Sequence, residues 1–174
     1  MGGQVGVSSE LGAGSTFWAE LPLPASTAAA LESAEPQAGE HELRGARVLM
    51  AEDNPVNMMI AVALLEQWGV RVEQAADGRQ AVEAVRRSAL AGQPFDAVLM
   101  DVQMPVMSGY EATRLLRQDT SGRRLPIIAL TAAALVTERA HAIEVGMDDF
   151  LTKPIDAERL RLTLARWLRR EHVG

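Results

Sequence analysis

The sequence predicts an α/β domain over residues 45–172: five parallel strands, doubly wound, with helices on both faces of the sheet. Three observations predict it. From Arg47 onward, short apolar and β-branched runs alternate with longer segments whose apolar residues recur at helical spacing, the pattern of strands joined by crossover helices. Within the run Phe95–Met100, residues 97–100 are continuously apolar, as a strand buried on both faces requires. Helix starts and stops also fall where a regular alternation needs them.

The strands follow in order as Arg47–Ala51, Val70–Ala75, Phe95–Met100, Pro126–Leu130 and Asp149–Leu151. Asn54-Pro55 supplies an N-cap and a proline at the first helical position. Asp77 with Gln80, and Ser108 with Glu111, have capping-box spacing, and Asp156 is placed to cap the last helix. Gly69 and Gly146 stand where helix C-termini favour a left-handed residue. Five such βα units make a flavodoxin-like sheet of strand order 2-1-3-4-5. In the last helix Leu160, Leu164 and Trp167/Leu168 point inward, leaving Arg161, Arg166, Arg169 and Arg170 as solvated charge.

Two stretches precede this domain. Residues 1–23 contain a β-hairpin: Val5 and Val7 alternate with polar neighbours, Glu10 to Ser15 turns on two glycines, and Phe17, Ala19, Leu21 and Leu23 alternate on the return. Residues 24–44 are rich in Ala, Ser, Pro and Glu without apolar periodicity, the composition of a flexible acidic linker. Two strands alone are marginal in water, so this region is expected to be mobile or weakly packed.

Charge and composition exclude several functions. Glu10, Glu20, Glu32, Glu35, Glu40 and Glu42 precede the first basic residue, Arg44, and account for the whole net charge of −6. No basic surplus exists for nucleic-acid binding. Cysteine is absent, which removes disulfides, thiolate metal sites and a cysteine nucleophile. No apolar run is long enough to cross a bilayer and no signal peptide opens the chain, so a soluble, cytoplasmic protein is expected.

In a sheet of this order, ligands bind beyond the carboxyl ends of the strands, beside the switch point between the first and third. The polar residues at those ends are Glu52 and Asp53, Asp101, Thr131, and Lys153. Three carboxylates do not sit together ionised without a cation, and Lys153 supplies one positive charge. A hard divalent ion with oxygen ligands, Mg²⁺ for preference, complements the set. Asp101, ending the central strand, is the best-placed nucleophile and would form an aspartyl phosphate. Thr131 is placed to donate to one phosphoryl oxygen and Lys153 to pair with another. Singly, each of these residues has a plainer reading as turn, cap or solvated surface; their joint placement at four strand ends is what makes them a site.

The segments Val48-Leu49-Met50-Ala51-Glu52-Asp53-Asn54, Asp101-Val102-Gln103-Met104-Pro105-Val106-Met107-Ser108-Gly109, Leu130-Thr131-Ala132 and Phe150-Leu151-Thr152-Lys153-Pro154 resemble the receiver domain of two-component signalling. The resemblance runs from Arg47 to the last helix. It implies a phosphorelay module that takes a phosphoryl group onto Asp101 and then changes shape. The donor would be a phosphohistidine on a helix of a histidine kinase or histidine phosphotransfer protein. It also implies Asp53, Asp101 and the backbone carbonyl of Gln103 as Mg²⁺ ligands, with Glu52 assisting. Thr131 and Phe150 would form a switch pair, the hydroxyl turning to the phosphoryl group as the ring rotates inward; Phe150 reads equally as a core aromatic. Glu52 and Ser108 both stand where the family more often has Asp.

The opening residues, Met1-Gly2-Gly3-Gln4-Val5-Gly6-Val7-Ser8-Ser9 with Gly12-Ala13-Gly14-Ser15-Thr16-Phe17 and Leu21-Pro22-Leu23, resemble the final hairpin of a histidine-kinase ATPase domain. The ATP-binding motifs of that domain and its phosphorylatable histidine helix have no counterpart here. The chain then reads as the C-terminal piece of a hybrid sensor histidine kinase, with Met1 an internal methionine, and on its own neither binds ATP nor acts as a kinase.

The first helix adds a partner surface. Ile60, Ala61, Leu64, Leu65 and Trp68 form one helical stripe, expected to face the sheet. Met58, Met59 and Val62 then fall on the outer side, an adaptable apolar patch suited to docking the donor helix. His41, His141 and His172 share no spacing and read as surface residues. Three alternatives differ in chemistry. A flavoprotein would want a hydroxyl- and glycine-rich loop where Glu52-Asp53-Asn54-Pro55 stands. A phosphatase would want a general acid where Gln103 stands. A degenerate receiver, used only for protein binding, would lack chemical groups that this sequence retains.

Overall fold

A computed structural model describes residues 4–10, 14–20, 43–119, 125–132 and 136–171. The chain divides into two units, residues 1–35 and 36–174. In the first, β1 (Gln4–Glu10) and β2 (Gly14–Glu20) pair antiparallel, with Val5 opposite Ala19 and Val7 opposite Phe17. Leu21 and Leu23, expected to continue the return strand, lie outside the described residues, as does the expected linker up to residue 42.

The second unit is a five-stranded parallel sheet in the order β4-β3-β5-β6-β7. Its strands are β3 (Arg47–Ala51), β4 (Arg71–Ala75), β5 (Ala97–Asp101), β6 (Ile127–Thr131) and β7 (Asp149–Thr152). The crossovers are α1 (Pro55–Gln67), α2 (Gly78–Leu90), α3 (Gly109–Gln118) and α4 (Val136–Glu144), and α5 (Ala157–Glu171) closes the domain. Renumbered from its own first strand, this is the 2-1-3-4-5 order expected, and it is the order of a doubly wound sheet. Strands β5 and β6 end one residue later than anticipated, so Asp101 and Thr131 are held by ladder geometry rather than by a loop.

Alternation along the strands builds two cores. Val48, Met50, Leu99 and Leu130 pack on one face with α1 and α5, through Leu65, Leu160 and Leu164. Leu49, Ala51, Met100 and Ala129 pack on the other face with α2, α3 and α4, through Val82, Ala112 and Ala142. Central strands β5 and β6 are buried at every position, whereas edge strand β4 exposes Arg71 and Gln74.

The caps form as their spacing predicts. Asn54 accepts from the Val56 and Asn57 N–H groups at 2.9 and 3.2 Å, with Pro55 at the first helical position. Asp77 accepts from Gln80 N–H at 2.8 Å, and Asp156 from Arg159 N–H at 2.8 Å. Ser108 and Glu111 complete a reciprocal capping box. Gly69 and Gly146 take the left-handed conformation, with φ of +74° and +100°.

Three expectations are corrected. The α1 stripe is rotated: Met58 and Val62 are buried with Ala61 and Leu65, while Val56, Met59 and Ile60 are exposed. Both stripes have helical spacing, and between Pro55 and Leu65 the helix has a single polar residue, Asn57, so nothing in its sequence marks an outer face. Second, Leu43, expected in the flexible linker, is fully buried in the first core. A lone leucine between Glu42 and Arg44 carries no periodicity to announce it. Third, Arg161 is buried rather than solvated, and its guanidinium pairs with Glu158 at 3.3 Å.

A polar clamp closes the amino ends of β6 and β7. Arg117, from α3, donates to the Leu125 and Gly146 carbonyls, each at 2.8 Å, and to Asp148 Oδ2 at 2.6 Å. The same Asp148 oxygen accepts from Ile127 N–H at 2.8 Å. Among the described residues, no helix is long and apolar enough to cross a membrane.

Candidate functional site

The carboxyl ends of β3, β5, β6 and β7 bring the predicted residues to one edge of the sheet. Lys153, just past β7, places its Nζ 2.6 Å from Asp101 Oδ2 and 2.6 Å from Glu52 Oε2. Both carboxylates are almost fully buried, while Asp53 beside them is exposed. One carboxylate oxygen from each of Glu52, Asp53 and Asp101 lies within 4.8 Å of the others.

Each group is held by its surroundings. Gln103 N–H donates to Asp101 Oδ1 at 3.0 Å. Glu52 Oε1 accepts from Asn54 N–H and from Asn57 Nδ2, both at 3.2 Å. Glu52 Oε2 faces Lys153 and has no other hydrogen-bond partner among the described residues. Burial pushes the Asp101 carboxyl above the usual range, and the hydrogen bonds from Lys153 and Gln103 N–H only partly offset this. Burial works to lower Lys153, but its hydrogen bonds to Asp101 and Glu52 outweigh that and raise it. Three carboxyl groups and one ammonium thus share this edge of the sheet.

The loop after Asp101 is tightly bound back to the domain. Val102 N–H donates to Leu130 O at 3.0 Å, and Gly109 N–H to Val102 O at 3.1 Å. Met107 N–H bonds Pro105 O at 2.7 Å across Val106, whose φ is +66°. An exposed β-branched residue in this three-residue turn holds local strain. Two glycines let backbone approach backbone: a Cβ on Gly109 would lie 2.1 Å from Asp101 O, and one on Gly78 would lie 2.5 Å from Met107 O.

Thr131 and Phe150, expected as a pair, both meet α4. The Thr131 hydroxyl donates to Glu138 Oε2 at 2.6 Å. Phe150 is half-buried against the second core, with the Arg139 guanidinium 4.8 Å over its ring. His141, expected at the surface, is half-buried and stands edge-on to Tyr110 with ring centroids 4.6 Å apart. Sequence reasoning missed Asn57 and Glu138. Asn57 had a signal, as the sole polar residue between Pro55 and Leu65; Glu138 had none, because its partner is seven residues away on a different element. Of the predicted patch, Met59 alone is outward, beside Val56 and Ile60 at the start of the helix that follows Asp53.

Known proteins resemble this chain in sequence and fold. The profile of the response regulator receiver domain family matches residues 48–165. The chain is 41% identical over 127 residues to the sensor histidine kinase GacS of Pseudomonas protegens, covering 71% of this chain and 13% of that kinase. It therefore spans a small part of the length of such relatives. Among solved structures, a receiver domain of a sensor histidine kinase from Pseudomonas aeruginosa, with a magnesium ion coordinated in its active-site cleft, is similar at 46% identity. The TM-score is 0.65, over 72% of this chain and 98% of that one. The Saccharomyces cerevisiae receiver domain of Ssk1, solved with the histidine phosphotransfer protein Ypd1, aligns at 27% identity. Its TM-score is 0.65, over 74% of this chain and 92% of that one.

Proposed function

Because the chain belongs to the response regulator receiver domain family, we propose that it accepts a phosphoryl group from a phosphohistidine onto Asp101, within the phosphorelay of a hybrid sensor histidine kinase. The supporting observation is the buried Asp101 carboxylate, ending the central strand, 2.6 Å from Lys153 and grouped with Glu52 and Asp53. An Asp101 oxygen attacks phosphorus, the P–N bond breaks, and the imidazole nitrogen leaves with the electron pair. Lys153 offsets charge on the transferred group, and Thr131 donates its hydroxyl proton to one of its oxygens.

The donor set fits Mg²⁺. All ligand atoms are oxygens, as a hard cation prefers, and Glu52 Oε2 is buried with one ammonium as its sole counter-charge among the described residues. Asp53, Asp101 and the Gln103 carbonyl would hold the ion, with Glu52 assisting. Its positive charge would let an anionic phosphoryl group approach an anionic carboxylate. A donor of this kind draws its phosphate from ATP, which places the domain's action in the cytoplasm. The hairpin in residues 1–23 fits the end of a kinase ATPase domain, joined by a linker to a receiver that starts by Leu43.

With Mg²⁺ and acetyl phosphate, intact mass is expected to rise by one phosphoryl group, and Asp101→Asn is expected to show no gain. No gain in either protein, with beryllofluoride also failing to bind, would favour a receiver used only for protein binding.

The donor helix docks on the exposed start of α1, where Val56, Met59 and Ile60 lie on the helix that follows Asp53. Substituting Met59→Glu together with Ile60→Glu should slow transfer from a phosphohistidine protein by about tenfold, the equivalent of ~1.4 kcal/mol. Phosphorylation by acetyl phosphate should not change; equal loss of both reactions would remove the docking role.

A further inference from the structure

We propose that Glu138 is a positioning residue that competes with the phosphoryl group for the Thr131 hydroxyl, so that occupancy of Asp101 is coupled to the first turn of α4 through one exchanged hydrogen bond. This rests on Asp101 being the phosphoryl acceptor. A threonine hydroxyl has a single proton to donate, and here that proton is given to Glu138 Oε2 at 2.6 Å. Thr131 cannot donate to a phosphoryl oxygen until that bond breaks. A hydrogen bond to a carboxylate is stronger than a neutral one, so the competition is costly to the incoming group.

Three further features fit a latch. Glu138 lies in the first turn of α4, where a carboxylate is favoured by the helix dipole and holds its place without Thr131. It lines a cavity of about 620 Å³ together with Met104, Tyr110 and His141, among others. The side chain therefore has room to swing away without displacing core residues. The next residue, Arg139, lies 4.8 Å over the Phe150 ring, an attraction of the cation–π kind. Two consecutive residues of one helical turn thus hold Thr131 and Phe150 in the unphosphorylated arrangement. When the hydroxyl turns to phosphate, Glu138 loses its donor and is repelled by the new negative charge, which loosens this turn from β6.

Beryllofluoride affinity in Mg²⁺, measured by titration calorimetry, tests the idea. Glu138→Ala removes the competitor and should bind about tenfold more tightly than the wild type, the equivalent of ~1.4 kcal/mol. Glu138→Gln keeps a neutral acceptor and should fall between, which also guards against a folding defect in the alanine variant. In a Thr131→Val background the Glu138→Ala gain should shrink to about twofold or less, because coupling of this kind vanishes when one partner is gone. Unchanged or weaker binding by both Glu138 variants, with a normally binding wild type, overturns the latch and leaves the receiver reading standing. An equal gain in the Thr131→Val background also overturns it, by showing that Glu138 acts through charge or packing alone. A wild-type protein that binds no beryllofluoride overturns the receiver reading itself, and the latch with it.

Discussion

Gly109→Ala is expected to lose about 3 kcal/mol of stability and to reduce phosphorylation at Asp101 by about 100-fold. The added Cβ would sit 2.1 Å from the Asp101 carbonyl oxygen and 2.9 Å from Met100 Cγ. Relief has to come from main chain, since the nearest obstacle is a backbone atom. Both main-chain segments are fixed: Gly109 N–H bonds Val102 O, and the Ser108–Glu111 capping box anchors the start of α3. Separation by about an ångström then moves either the helix or the peptide of the nucleophile itself, and displacements of that size are what reacting groups tolerate least. Urea denaturation and the rate of mass gain with acetyl phosphate measure the two effects. Gly92→Ala is the comparison: a Cβ there meets nothing within 4 Å, and its φ of +69° alone makes the change unfavourable, by about 1 kcal/mol. Equal costs for the two substitutions would show that the close approach to Asp101 is not the cause.

Arg117→Met should be comparably destabilising, by about 3 kcal/mol, yet leave the phosphorylation rate of the folded protein unchanged. The guanidinium satisfies two carbonyls and Asp148, whose side chain is 3% exposed. Removing it takes one ionic partner from a buried carboxylate, and losing one partner of a buried pair costs more than the pair contributes. The clamp sits at the amino ends of β6 and β7, and the acidic site lies at their carboxyl ends, so the chemistry is not touched. Asp148→Asn in the Arg117→Met background should recover part of the loss, because the asparagine oxygen still accepts from Ile127 N–H while the buried negative charge is gone. Thermal melts of the two variants decide this; a stability within 1 kcal/mol of wild type would mean the clamp is redundant.

These contrasting outcomes show which parts of the protein were legible in advance. The polar residues near the strand ends were, because Asp101 and Thr131 each directly follow an apolar run and Lys153 comes two residues after Phe150-Leu151. Caps were, because Asn54-Pro55 and Ser108 with Glu111 are local chemistry that needs no tertiary contact. The outer face of α1 was not: Met58 and Ile60 begin equally good stripes, and the choice between them is made by the sheet. Nor was the Arg117 clamp, which joins α3 to residues 125, 146 and 148 and leaves no trace in local spacing. Glu138 belongs with it, since Thr131 ends β6 and the carboxylate that meets it comes from a different element, α4. Local order is written in short-range pattern; polar contacts across elements are written in geometry.

The two margins of the sheet carry a last consequence. Strand β4 presents Arg71 and Gln74 to solvent, and its Glu73 is tied to Arg87 and to Arg47. Strand β7 has four residues, and Asp149 there is engaged by Arg166 and by Trp167 Nε1. Charged, short, occupied borders are poor templates for a neighbour's backbone. Association by strand addition is thereby discouraged at both borders, and company must be kept through helices and loops. Contact through helices and loops makes no demand on the ladder, so a partner bound there would leave the sheet shut.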